Sequence, residues 1–429
     1  MCDFPMIIAA VILVLTYIGI SFTQLPHINI DRPAAALTGA LLMVLAGVLT
    51  FNQAIASIDF HTITLLLGMM LLMSALQQAD FFNVMAARSI ALASKPWQLL
   101  LAVVLVTAVG SAFMVNDVVV LLFTPVVIAA CRLLDRNPSP YLIAEAMASN
   151  IGSVATEIGN PQNMLIGVTS GISFTHFMLY LLPVAVISTA ILLVTVFIFY
   201  RKHIQVDFPA EKLRHQTLSV MSGQPTPAAR KKLLMFTLPV FGLTVVCLFL
   251  SSFFGVAVSI IAMAGGVAAI LFSGIRPSKL IKTIDWSLLL FFCGLFIVIG
   301  GAQQAGVLNV LMNTLCVQNN IEGIVSVNVF SALVSQVVSN VPLTMLVIPL
   351  IKNIPGDVLW ISLAAGSTLG GNATIIGAVA NIIVVEQAYS QGIKLGWWEF
   401  SKVGIVVTVL TIAASVGILS LEFSLGLLR

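Results

Sequence analysis

Charge is what this sequence has least of. Only 8% of its 429 residues are Asp, Glu, Lys or Arg, and 59% are hydrophobic. Soluble domains carry about 25% charged residues, so a water-soluble globular chain is excluded. Cysteine and histidine are equally sparse. Cys2, Cys131, Cys247, Cys293 and Cys316 stand singly, with no C-x-x-C, and the five His are dispersed. Neither a metal centre nor a redox pair is encoded, and no cofactor is expected. There is no H-E-x-x-H and no nucleophile–base pair in the apolar stretches, which excludes an intramembrane enzyme. With a net charge of +3, no nucleic-acid partner is expected.

What is present is apolar sequence in span-length runs. Met6–Phe22, Ala34–Leu49, Phe60–Leu76 and His176–Tyr200 each approach the roughly 20 residues that cross a bilayer. The chain reads as an all-α integral membrane protein, with the lipid bilayer as its solvent. Trp97–Arg132 is too long for one span, about 54 Å at roughly 1.5 Å per residue. Its interruption at Asn116-Asp117 predicts a re-entrant hairpin. Asp80–Lys95 is mixed in polarity and reads as an interfacial amphipathic helix.

Within this apolar chain lies Asn150–Asn163, with Gly, Asn, Thr, Pro and Glu where an unbroken helix would not take them. Broken backbone survives at membrane depth only where it lines a cavity or is buried in protein. The stretch recurs: Gly152–Asn163 and Gly370–Asn381 both read G-x-x-A-T-x-I-G-x-x-x-N. Asp59/Asp285, Asn116/Asn340 and Thr156/Thr374 are separated by 226, 224 and 218 residues. Landmarks in one order at nearly one offset define an internal repeat. Residues 1–200 and 233–429 form the two halves, and 201–232, with seven Lys/Arg, a basic cytoplasmic linker.

Charge orients the halves. Five crossings and one hairpin per half invert the second relative to the first. With the linker inside, all of the 19 Lys and Arg except Lys352 and Arg429 fall on the cytoplasmic side, as the positive-inside rule requires. This predicts about ten transmembrane helices plus two re-entrant hairpins and two broken helices, in a cell inner membrane with both termini outside. Arg32 is placed in an inside connection, and no Lys or Arg is placed within the membrane.

The four interruptions are expected to meet near the midplane, where half-helix N-termini favour anions and unwound carbonyls favour cations. Asp117 is the sharpest candidate, because an intramembrane charge is costly and functional by default; its alternative role is a helix N-cap. Glu157 is a candidate on the same ground. Glu145 and Glu386 lie nearer helix ends and are read as structural, reaching water. Asn116, Asn340, Thr156, Thr374, Asn160, Asn163, Asn372 and Asn381 form a set able to build a binding cage. Gly152, Gly159, Gly370, Gly371 and Gly377 are read as permitting unwound backbone.

Two halves of this build resemble the ion transporter superfamily. Asn116-Asp117 followed by Thr124-Pro125, and Thr156-Glu157-Ile158-Gly159-Asn160-Pro161-Gln162-Asn163, are similar to the arsenite/antimonite permease (ArsB) group. The resemblance implies a secondary transporter. Its candidate partners are arsenite or antimonite with a proton or sodium, and an ATPase subunit or a homodimer mate. Dicarboxylate members carry Ser-Asn-Thr at both tips; here the tips read Val115-Asn116-Asp117 and Ser339-Asn340-Val341-Pro342. An aspartate there repels a dianion, whereas neutral arsenous acid avoids the repulsion. Proton-coupled arsenite efflux is therefore the first expectation. A sodium/proton antiporter or sodium-coupled anion symporter is the alternative, and repeated hairpins suit moving gates better than a channel.

Overall fold

The computed structural model describes residues 4–21, 31–82, 95–204, 227–308 and 318–428, with isolated positions between 83 and 94. Among the described residues the chain is helical, with no strand. Eight helices are long and apolar enough to cross a membrane: Phe4–Ser21, Phe60–Gln78, Pro96–Phe113, Asn116–Leu133, Phe174–Lys202, Trp286–Gln304, Ile321–Val338 and Trp397–Ser424. Arg32–Leu45, Leu233–Phe249, Val258–Phe272, Asn340–Ile351 and Val358–Gly370 are apolar but shorter. Among the described residues length alone thus gives eight candidate spans, three of which are arms of the expected hairpins; the ten-crossing assignment needs the shorter and the broken helices too. The helix expected over Asp80–Lys95 lies largely outside the described residues. Arg201–Ile204 prolong the helix that starts at Phe174, and the next helix opens at Pro227.

The interruptions fall where polarity and Gly/Asn placed them. Pro96–Phe113 and Asn116–Leu133 are joined by two extended residues, and Ile321–Val338 meets Asn340–Ile351 through Ser339 alone. Ser139–Ser153 breaks before Pro161–Ser170, and Val358–Gly370 before Val379–Ser390. Each start has a local cause. Asp59 Oδ1 accepts from His61 N at 2.9 Å, and its counterpart Asp285 from Leu288 N at 3.0 Å, so equivalent aspartates cap equivalent helices. Pro161 stands at the first helical position, where its missing N–H costs nothing.

Packing repeats across the halves with partners exchanged. Phe60–Gln78 lies along Val258–Phe272, and Trp286–Gln304 lies along Arg32–Leu45. The close points are glycines at matching positions. A Cβ at Gly68 would sit 2.5 Å from the Ala262–Met263 peptide; one at Gly294 would sit 2.7 Å from the Ala36 carbonyl carbon and 2.9 Å from Leu37 N. Small residues let helix backbones approach where lipid supplies no hydrophobic drive. The broken helices occupy the centre: every residue of Ser139–Ser153 and of Val358–Gly370 is buried. Large side chains such as Phe4, Leu45, Phe253 and Leu271 are exposed on the outside, the pattern of a lipid-facing surface.

Gly68→Leu forces the paired helices apart. We expect about 1–3 kcal/mol of destabilisation, the usual cost of overpacking, seen as a lower melting temperature in detergent. Gly242→Leu is the control, because a Cβ there meets nothing within 4 Å.

Candidate functional site

Each break frees carbonyls that must find donors in a dry interior, and asparagines supply them. Asn163 Nδ2 donates to Ser153 O at 3.0 Å and Thr156 O at 3.1 Å. Asn381 Nδ2 donates to Gly371 O at 2.7 Å and Thr374 O at 2.9 Å. These are the same two bonds 218 residues apart. Asn160 Oδ1 caps the restarted helix, accepting from Asn163 N at 2.8 Å, while its Nδ2 donates to Ser153 Oγ at 2.9 Å.

The threonines pin the breaks to the hairpins. Thr156 Oγ1 donates to the Ala112 carbonyl, and Thr374 Oγ1 to Gln336 Oε1 at 3.0 Å. The glycines act by close approach. Among the described residues none of Gly152, Gly159, Gly370, Gly371 and Gly377 has positive φ, so conformational freedom is not what they provide. A Cβ at Gly152 would lie 2.1 Å from Ala108 O, and one at Gly370 2.6 Å from Ala332 Cα.

One residue links these parts. Asn150 Nδ2 donates to Asn372 Oδ1 and to Asn381 Oδ1, both at 3.0 Å. Its Oδ1 accepts from Asn116 Nδ2 at 3.3 Å. It therefore ties the first broken helix to the second break and to the first tip. Thr368, 218 residues later, faces the other way, donating to Asn163 Oδ1 and accepting from Asn160 Nδ2, both at 3.4 Å. The tips rest on matching glycine carbonyls. Asn116 N donates to Gly159 O at 2.9 Å. In the amide orientation that satisfies both of its ends, Asn340 Nδ2 donates to Gly377 O and Ser367 O at 3.0 Å each. Ser339 holds φ 68° at the second tip, a strained conformation for a residue with a side chain, costing about 1–3 kcal/mol.

Above this brace lies a cavity of about 230 Å³. Both tips and both restarted helices reach it, and so do the starts of Arg32–Leu45 and Trp286–Gln304. Six helices thus present their N-termini, the positive ends of their dipoles, to one space. Asn116, Asp117 and Asn340 line it as expected, joined by Arg32, Gln162, Asp285 and Ser339. Arg32 corrects the expectation that no Arg stands at the site: hydropathy placed it in a connection, but it opens its helix on the cavity wall. The other expected residues, Thr156, Asn160, Asn163, Asn372, Thr374 and Asn381, are not among those lining the cavity; they build the layer beneath. Asn150 stood in the quoted stretch and Asp285 among the repeat landmarks, so both were detectable.

Two more carboxylates are buried nearby. Glu145 is fully buried rather than reaching water; its Oε1 accepts from Thr124 Oγ1 at 2.9 Å. Glu157 is 1% exposed, and neither oxygen has a hydrogen-bond partner among the described residues. A second cavity, of about 440 Å³, lies along the opposite ends of Pro161–Ser170, Trp286–Gln304 and Asn340–Ile351, with Asp59, Gln303, Gln304 and Lys352 in its wall.

A lipid-facing helical bundle with interrupted helices converging on a buried polar cavity is the build of a membrane transporter. Two solved transporters share the fold: YdaH of Alcanivorax borkumensis (TM-score 0.60, 13% identity, 98% of both chains) and MtrF of Neisseria gonorrhoeae (TM-score 0.61, 11% identity, 98% of this chain and 95% of that one). The chain belongs to the citrate transporter family, whose model matches residues 11–366. It is 33% identical over 419 residues to a 46 kDa membrane protein of Mycobacterium leprae, covering 94% of this chain and 96% of that one. It is 28% identical to the human P protein, of which it spans 56%. The family is one of transporters, and this chain is a multi-pass membrane protein within it.

Asn150→Ala leaves Asn116 Nδ2, Asn372 Oδ1 and Asn381 Oδ1 without the partner each has on Asn150. At about 1–3 kcal/mol per orphaned group, we expect a clear fall in melting temperature. Thr368→Val, which removes only long bonds, should cost less; a wild-type melting curve for Asn150→Ala would refute the brace.

Proposed function

We propose that this chain is a cation-coupled secondary carrier of a small anion. It works by alternating access between two inverted halves, with about ten crossings and two re-entrant hairpins. The observation that carries this is the cavity in which six helix N-termini, both tips and Arg32 converge. At roughly +0.5 charge per N-terminus, the helix ends and Arg32 outweigh Asp117 and Asp285, and Asp285 is engaged in capping its own helix. An oxyanion or carboxylate fits that field. Asp117 alone would repel an anion, and Arg32 on the same cavity wall offsets that repulsion. The family description points the same way. Inversion is supported by the matched hydrogen bonds, the exchanged glycine contacts and the charge distribution. The second cavity supports access from the other face.

Arsenite or antimonite efflux with a proton is the second reading. It is favoured by Asp117 beside the neutral amides of Asn116, Gln162 and Asn340, which suit a trihydroxide. In either case Asp117 carries the coupling cation, proton or sodium.

Proteoliposomes decide between them. We expect citrate or succinate to accumulate when a pH or sodium gradient is imposed. Asp117→Ala should reduce that accumulation tenfold or more with an unchanged melting temperature. Uptake no greater than in empty liposomes overturns the anion reading, and gradient-driven movement of arsenite alone selects the second.

A further inference from the structure

Arg32 and Asp117 stand on different parts of the bundle. Arg32 opens the helix that packs along Trp286–Gln304; Asp117 opens the second arm of the first hairpin. Both line the 230 Å³ cavity. Arg32, Asp117 and Asp285 are its charged lining groups, and Arg32 and Asp285 both act electrostatically on Asp117. Asp285 already accepts from Leu288 N at 3.0 Å. The cavity thus holds one guanidinium and two carboxylates, of which Asp285 is engaged at its own helix start, while Arg32 and Asp117 sit on different parts of the wall.

Resting on the anion reading above, we propose that Arg32 is a shared charge partner, held by Asp117 in the empty cavity and by the solute's anionic group in the loaded one. The exchange is what couples the two substrates. A carboxylate that draws Arg32 away leaves Asp117 as an unbalanced charge in a low-dielectric site, which is costly. A cation at Asp117, proton or sodium, removes that cost and also releases Arg32 for the anion. Anion and cation therefore assist each other through two side chains, without contact between the two ligands. The guanidinium is suited to the task because it stays charged and can engage a carboxylate through two parallel N–H bonds. Linkage is reciprocal: whatever factor the cation adds to anion affinity, the anion adds to cation affinity.

This separates the two residues experimentally. Citrate and succinate serve as probes, with binding to the purified protein measured by calorimetry at low and high sodium and at two pH values. In the wild type we expect one of the two cations to raise carboxylate affinity tenfold or more. In Asp117→Asn, Arg32 loses the carboxylate that competes for it, and Asp285 stays engaged with Leu288 N. The probe should then bind without the cation as tightly as it binds the wild type with it, and the cation dependence should vanish. Arg32→Gln should weaken binding tenfold or more under every condition, with partial recovery in Arg32→Lys. Melting curves identify any variant that fails to fold, and the Arg32→Gln/Asp117→Asn double variant then serves in its place: its cation dependence should be absent. If Asp117→Asn weakens the probe as Arg32→Gln does, or keeps the cation dependence, the shared-partner proposal falls. If neither probe binds the wild type at all, the anion reading itself falls.

Discussion

The polar centre of this bundle is tied together by the hydrogen bonds of Asn150. Two helices are broken deep in an apolar interior, and the freed groups have no water to turn to. Asn150 uses both of its amide hydrogens and its carbonyl oxygen, reaching Asn372, Asn381 and Asn116. One side chain thereby fixes where each break begins and where the first tip lies. With the breaks fixed, the restarted helices point their N-termini at the same place, and the cavity follows. The Thr368 contacts run in the reverse sense, but at 3.4 Å they are weaker, so the brace leans on the first half.

That lean extends to the chemistry. The second half repeats the backbone devices of the first: glycine approach, carbonyl-binding asparagine, pinned threonine. It repeats the capping aspartate, Asp59 as Asp285, but not three other acids. Asp117, Glu145 and Glu157 correspond by offset to Val341, Leu363 and Ile375. A scaffold duplicated without these three carboxylates separates two requirements. Converging helix ends need both halves. A titratable or cation-binding group is needed once, and each further buried charge would add a desolvation cost with no matching gain.

The repeat, the breaks and the helix starts were legible because each is written locally: a polar interruption in an apolar run, a capping Asp, a Gly-rich motif at fixed offset. The expected Asn and Thr positions all lie in the brace or at the cavity. Their division of labour was not legible. Thr156 and Thr374 bond to groups on the hairpins, and nothing in the motif tells a buried strut from a cavity wall. Arg32 was misplaced for a related reason. Hydropathy marks where a span ends but not what stands opposite that end, and the wall facing Arg32 comes from residues 84 to 347 positions away. Glu145 was misread because its helix is surrounded on all sides, a property of the assembled bundle.

Where alternating access can occur follows from comparing interactions. The broken helices are bonded to each other and to both hairpins through Asn150, Thr368, Thr156, Thr374 and Asn340. Separating them would orphan several buried polar groups at about 1–3 kcal/mol each. Across the first cavity, where Arg32 and Asp285 stand on the wall with both tips, the described residues give far less: Tyr17 OH donates to Pro342 O at 2.8 Å, a single bond from the outer helix Phe4–Ser21 to the second tip. The second cavity lies against the opposite end of the same Trp286–Gln304 helix. Between the two, the contact is apolar: Phe292, Leu295, Met164 and Leu343 are fully buried. Apolar surfaces can slide with little loss, because one hydrophobic neighbour replaces another, whereas hydrogen bonds cannot be half made. The proposed alternating access would then carry the braced core as a unit against the outer helices, with Arg32 and Asp117 on the wall of the cavity that lies between them.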